Sequence, residues 1–227
     1  MAIARKLAYN VIFNSVLKVT STVVLSLLLV RLITGYLGQE GFGKYATVLA
    51  FFSFFAAISD LGLGPVTARE IAKDGSDEGK ILGNVVALRL VSSALLITIA
   101  PLVVLFFDYP VEVKWGIIIV ACASFFSSLS LVMNGVFQKR IAMDRVAMVE
   151  FIGKLIQVSL IACIVKFNLG FFPIVLSVLV ALAFNVTTVY LISRQFIRFS
   201  LRFDIAFWKA FLKESLPMGA TALITFA

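Results

Sequence analysis

Six apolar runs, each about as long as a helix that crosses a bilayer, divide the chain: Tyr9 to Ile33, Tyr45 to Leu63, Gly83 to Phe107, Val113 to Val136, Ala147 to Val165 and Phe171 to Ser193. At about 1.5 Å per residue, a hydrocarbon core of about 30 Å takes roughly 20 apolar residues. The breaks between runs carry glycine, proline or charge: Gly35, Gly38, Gly41 and Gly43, then Lys73 to Lys80, Asp108 with Pro110, Gln138 to Arg145, and Lys166 to Gly170. With 61% apolar and 14% charged residues, against about 45–50% and about 25% in globular chains, a water-soluble fold is excluded. A transmembrane barrel is excluded too, since its strands alternate over about ten residues. The expectation is an all-α polytopic membrane protein, a six-helix transmembrane bundle over residues 1–193.

The distribution of Lys and Arg sets the direction of the spans. Thirteen of the twenty fall on one side, namely Arg5, Lys6, Arg69, Lys73, Lys80, Lys139, Arg140, Arg145, Arg194, Arg198, Arg202, Lys209 and Lys213, and only Arg31, Lys44, Lys114 and Lys166 on the other. Cytoplasmic loops carry the excess of cations, so the N-terminus is expected in the cytoplasm. The net charge of +8 then reports those loops and anionic headgroups, and no nucleic acid partner is expected. Arg5 and Lys6 open a run too long for a signal peptide, and Lys18 interrupts it.

Lys18, Arg89 and Lys154 lie inside the runs, about 13, 10 and 10 Å from their cytoplasmic ends. A charge in a span usually faces a partner or a wet cavity. Asn10, Asn14, Lys18 and Ser21 form one stripe by helical spacing. Glu150, Lys154 and Gln157 form a second, and Ser127, Ser130, Asn134 and Gln138 a third; Arg89 with Ser92 and Ser93 makes a looser one. Convergence of these stripes on one interior would create a cationic cavity, with Lys18, Arg89, Lys154, Asn14, Gln157 and Asn134 as candidate substrate contacts. Glu150 and Asp60 are the available counter-charges or coupling groups. Other readings stay open: Glu150 and Lys154 can neutralise one another as an i, i+4 pair, Arg89 and Lys154 can snorkel to headgroups, and the serines can serve helix packing.

With no histidine, the commonest metal ligand and general base is missing. Cys122 and Cys163 lie within apolar runs and read as small core residues. No metal, cofactor or catalytic constellation is expected, and the chain does not read as an enzyme. Residues 194–215 form a basic linker in which Ile197, Phe199, Leu201, Phe203 and Ile205 alternate with polar residues. A short helix on the membrane surface is expected around Trp208 to Lys213. From Leu216 a new apolar run begins, the expected start of a seventh transmembrane helix, so the chain reads as the first part of a longer protein.

Leu29-Val30-Arg31-Leu32, continued by Leu37-Gly38-Gln39-Glu40-Gly41-Phe42-Gly43-Lys44-Tyr45, resembles the signature of polysaccharide-export flippases of the O-antigen (Wzx) type. Asp60-Leu61-Gly62-Leu63-Gly64 with Arg69-Glu70-Ile71, and Phe203-Asp204 with Glu214-Ser215-Leu216-Pro217, are similar to later segments of that family. The resemblance implies a member of the multidrug/oligosaccharidyl-lipid/polysaccharide exporter superfamily (MATE-like), with this chain as the N-terminal lobe of two around a central cavity. It implies an undecaprenyl-pyrophosphate-linked oligosaccharide as cargo, moved from the inner to the outer leaflet of the bacterial inner membrane among membrane lipids and polysaccharide polymerase machinery. A cation-coupled multidrug exporter of the same superfamily is the alternative, although the first run carries no acid. A membrane enzyme acting on lipid-linked sugars and a purely structural membrane subunit are further rivals, the first lacking its usual histidine or Asp-x-Asp site.

Overall fold

The computed structural model describes residues 19–60 and 62–226. All regular structure among them is helical. A π-helical segment, Thr20–Leu25, leads into α1 (Ser26–Asp60), followed by α2 (Leu63–Ala72), α3 (Glu78–Leu105), α4 (Val111–Lys139), α5 (Met143–Lys166), α6 (Phe171–Ser193) and α7 (Ile205–Phe226). Five of these stretches are long and apolar enough to cross a membrane: Val23–Asp60, Glu78–Leu105, Val111–Lys139, Met143–Lys166 and Phe171–Ser193. The chain is therefore a polytopic helical membrane protein.

The end of the first apolar run, from Ser26, and the second run as far as Asp60 share one helical element. Gly38, at φ 69° and ψ −174°, interrupts α1 with a conformation that a side chain would strain. Ser26 lines the same cavity as Leu49, Phe52 and Ser53, although a straight helix would hold residues 26 and 52 roughly 39 Å apart. The chain thus folds back at Gly38, and α1 consists of two arms.

The loops sort to two ends. At one, Lys44 on α1 donates to Glu112 at the start of α4 at 3.1 Å, the Gly170 amide donates to the Tyr36 hydroxyl at 2.9 Å, and the Phe51 ring meets Phe107 and Tyr109. At the other, basic end, Glu78 takes ion pairs from Lys139 at 2.9 Å and Arg140 at 3.0 Å. Lys139 also donates to the Ile71 carbonyl at 2.7 Å, and Arg69 pairs with both Glu70 and Glu214. Here the Lys73 ammonium, 2.6 Å away, holds the Glu70 carboxyl below the usual carboxylate range, with Arg69 adding to the effect. Between the ends lie two apolar clusters, one around Leu82, Val136 and Phe137 near the basic end and one around Val48, Ile117, Ile161 and Ile174.

After α6 the chain runs extended through 197–204 across the first turns of α3. The Arg202 amide donates to the Gly83 carbonyl at 3.3 Å, and the Asp204 amide to Asn84 Oδ1 at 2.9 Å. Trp208 Nε1 closes the contact on the Asn84 carbonyl at 3.0 Å. Gly83 permits the approach, for a Cβ there would stand 2.1 Å from the Ser200 carbonyl oxygen. Asp204 then caps α7, accepting the Phe207 amide at 3.0 Å. α7 continues through Pro217 without a break, so the surface helix and the new apolar run expected from the sequence form one element.

Candidate functional site

Among the described residues the predicted polar stripes divide between two recesses and one buried clamp, while Lys18, Asn14 and Asn10 lie outside the described residues.

The clamp is Arg89. Its side chain is fully buried and sits within neither recess. One guanidinium nitrogen donates to the Ser59 carbonyl and another to the Asp60 carboxylate at 2.5 Å. Asp60 also accepts the Gly64 amide at 3.2 Å, so one carboxylate ties the end of α1 to α3 and to the first turn of α2. Expected as a cavity cation, Arg89 instead joins helices, because an acid 29 positions earlier in the sequence faces it. The planar guanidinium suits this role, since it can address a carbonyl and a carboxylate at once.

The first recess, of about 470 Å³, opens between the two arms of α1, α5 and α6. Lys154, Gln157 and Glu150 of α5 line it, with Asn185 of α6 and Tyr45 and Ser53 of α1. Lys154 lies eleven residues from Met143 and twelve from Lys166, or roughly 16–18 Å from either end of its helix, near the middle of the span. Its side chain is half-buried. It forms no ion pair among the described residues, and none with Glu150 one turn away. Gln157 is buried beside it.

Asn185 was not anticipated in the sequence. It is the one amide in its apolar run and belongs to none of the stripes read from the sequence; the rule that an amide inside a span seeks a partner could have marked it. Its Oδ1 is buried without a hydrogen-bond donor among the described residues. Gly153 makes room for it, since a Cβ at that position would stand 2.2 Å from Asn185 Oδ1.

The second recess, of about 720 Å³, lies at the basic end between α2 and α4. Asp60, Arg69, Asn134, Gln138 and Lys139 line it, and the buried Asn134 Oδ1 likewise lacks a donor among the described residues. Asn134 and Asp60 are therefore grouped here, apart from Lys154 and Gln157.

The long apolar helices are those of a polytopic membrane protein, and recesses that carry charged and amide side chains lie between them. The chain belongs to the polysaccharide biosynthesis protein family, whose sequence profile matches residues 7–227. The match spans both the motifs between Leu29 and Ile71 and those between Phe203 and Pro217 that carried the resemblance in the sequence. No curated protein and no solved structure matched it.

Proposed function

We propose that the protein is a flippase for a lipid-linked oligosaccharide, carrying an undecaprenyl-pyrophosphate-linked glycan from the inner to the outer leaflet of the bacterial inner membrane. In this reading its helices are the N-terminal lobe of a two-lobed, alternating-access transporter whose basic end faces the cytoplasm, and polysaccharide polymerase machinery takes up the glycan once it has reached the outer leaflet. Membership of a polysaccharide biosynthesis family makes a lipid-linked glycan the natural cargo. The observation that carries the reading is Lys154. A half-buried ammonium at mid-span, with no carboxylate partner among the described residues and opening on a 470 Å³ recess that Gln157 and Asn185 also line, is suited to an anionic group in transit.

A pyrophosphate cannot cross hydrocarbon unaided, because desolvating its charge costs far more than any single contact returns. Lys154 would supply opposite charge, and the amide N–H groups of Gln157 and Asn185 would supply neutral donors. Lys18, by its sequence spacing, is proposed to add a second cation on the first span. Glu150, in the same recess, is the observation that favours the second reading, a cation-coupled exporter.

The test is surface-polysaccharide export in cells that depend on the full-length protein. Lys154→Gln should lower export at least about tenfold, the loss of one charge-assisted contact, with normal membrane levels and lipid-linked glycan accumulating inside; Lys154→Arg should restore part of it. Wild-type export by Lys154→Gln would overturn the assignment. Loss on Glu150→Gln with Lys154→Gln unaffected would favour the cation-coupled exporter.

A further inference from the structure

A third recess, of about 380 Å³, lies at the basic end on the face of α6 opposite the Lys154 cavity. Val86 and Leu90 of α3, Met133 of α4 and Val186 of α6 line it, and Phe199 and Leu201 of the extended segment bound it. Val86 and Leu90 follow Gly83 by three and seven residues, so the recess begins roughly 4 Å below the level of Gly83 and reaches at least about 10 Å. With the basic end set at the headgroup layer, that is the depth of the first part of the acyl chains.

Three arginines flank its outer end by main-chain position. Arg202 is held at the level of Gly83 by its amide bond to the Gly83 carbonyl. The Arg198 carbonyl lies against Gly79, one turn further out. On α6, Arg194 follows Tyr190, a residue of the recess wall, by one turn and so shares its face. All three arginines are exposed, and none forms an ion pair among the described residues. The neighbouring acid, Asp204, is occupied in capping α7.

We propose that this recess is a binding site for an anionic membrane phospholipid, with one acyl chain over Val86, Leu90 and Met133 and the phosphate among Arg194, Arg198 and Arg202. Basic pockets between helices at the cytoplasmic face are suited to anionic headgroups, and an apolar trench leading to unpaired cations matches the two-part chemistry of such a lipid. A zwitterionic headgroup would bring a second cation where no free carboxylate among the described residues lines the mouth. The recess lies across α6 from Lys154, away from the proposed cargo path, so a resident phospholipid is its occupant and the inference stands independently of the flippase reading.

Native mass spectrometry of the purified full-length protein, titrated with phosphatidylglycerol and with phosphatidylcholine of the same acyl chains, tests this. Phosphatidylglycerol should be retained at markedly lower concentration. Replacing Arg194, Arg198 and Arg202 together by Gln should weaken its retention by roughly a hundredfold, since each surface cation contributes about fivefold. Val86→Phe, which fills the trench and leaves the arginines in place, should weaken it as well. Equal retention of the two lipids, or a preference that survives the triple substitution, would overturn the proposal. So would displacement of phosphatidylglycerol by sub-stoichiometric undecaprenyl phosphate, which would make the recess a cargo subsite.

Discussion

Replacing Gly83 by Ala should release the extended 197–204 segment from α3. The added Cβ would stand 2.1 Å from the Ser200 carbonyl oxygen, and because that atom is backbone, the segment has to lift by at least about 1.3 Å to reach ordinary van der Waals distance. Three hydrogen bonds depend on the docked position: Arg202 to Gly83, Asp204 to Asn84, and Trp208 to Asn84. At about 0.5–1.5 kcal/mol each, less about 1 kcal/mol that Ala gains over Gly within a helix, the net loss is about 0.5–3.5 kcal/mol. The undocked population then rises roughly 2- to 300-fold, at about 1.4 kcal/mol per factor of ten. Arg198 and Arg202 are exposed, so trypsin cleavage reads that population directly wherever reclosing is faster than cutting. Gly79→Ala is the control, since its Cβ would meet the Arg198 carbonyl oxygen at 3.4 Å, an ordinary contact. Equal cleavage rates for wild type, Gly79→Ala and Gly83→Ala would refute the reasoning.

The Arg89 clamp predicts an asymmetric response. Removing one partner of a buried ion pair costs about 3–5 kcal/mol, so Asp60→Asn should lower thermal stability in detergent, toward the smaller value because the Asp60 side chain is 26% exposed. Arg89→Met combined with Asp60→Asn should lose less than the two single changes added together, and strict additivity would show that the pair is not coupled. Gly62→Ala should destabilise by more than about 2 kcal/mol. Its φ of +73° disfavours any side chain, and the Cβ would stand 2.5 Å from the Ser215 carbonyl oxygen and 2.7 Å from the Gly219 amide; an unchanged melting temperature would show that α7 does not pack there.

The spans were legible because an apolar run of twenty residues has few alternatives in physics, and the sorting of loops to two ends follows from the alternation of spans. Depth along a helix could be read in the same way, since it is residue number times rise. Rotation about the helix axis could not. Arg89 and Lys154 lie at similar calculated depth on their helices, yet one faces Asp60 across a helix contact and the other a cavity. Nothing within either run distinguishes them, because what differs is the neighbouring helix. Asn185 was missed for a related reason: its environment is made by Gly153 on α5, a residue that advertises nothing by itself. The continuity of α7 through Pro217 is a third case, where helix packing within the membrane accommodates a residue that reads as a break in sequence.

The division of labour proposed for the two described interior cations follows from their chemistry. A guanidinium keeps its charge under all physiological conditions and presents a rigid fork, so once it has a carbonyl and a carboxylate in place it is a fastener. Arg89 has both, from consecutive residues Ser59 and Asp60, and its complete burial removes the water that would compete. An ammonium on a flexible stem makes a single, radially symmetric attraction. Lys154, half-buried at mid-span with uncharged amides beside it, can meet an anion in several orientations and let it go without dismantling a fixed geometry. Exchanging the two roles would fail in both directions: lysine at position 89 could not hold both acceptors of the clamp, and an arginine that gripped a phosphate bidentately at position 154 would bind more tightly than transport requires. The partial, not full, rescue expected for Lys154→Arg is the measurable form of that argument, and export by Lys154→Arg at the wild-type rate would show that release from this residue does not limit the cycle.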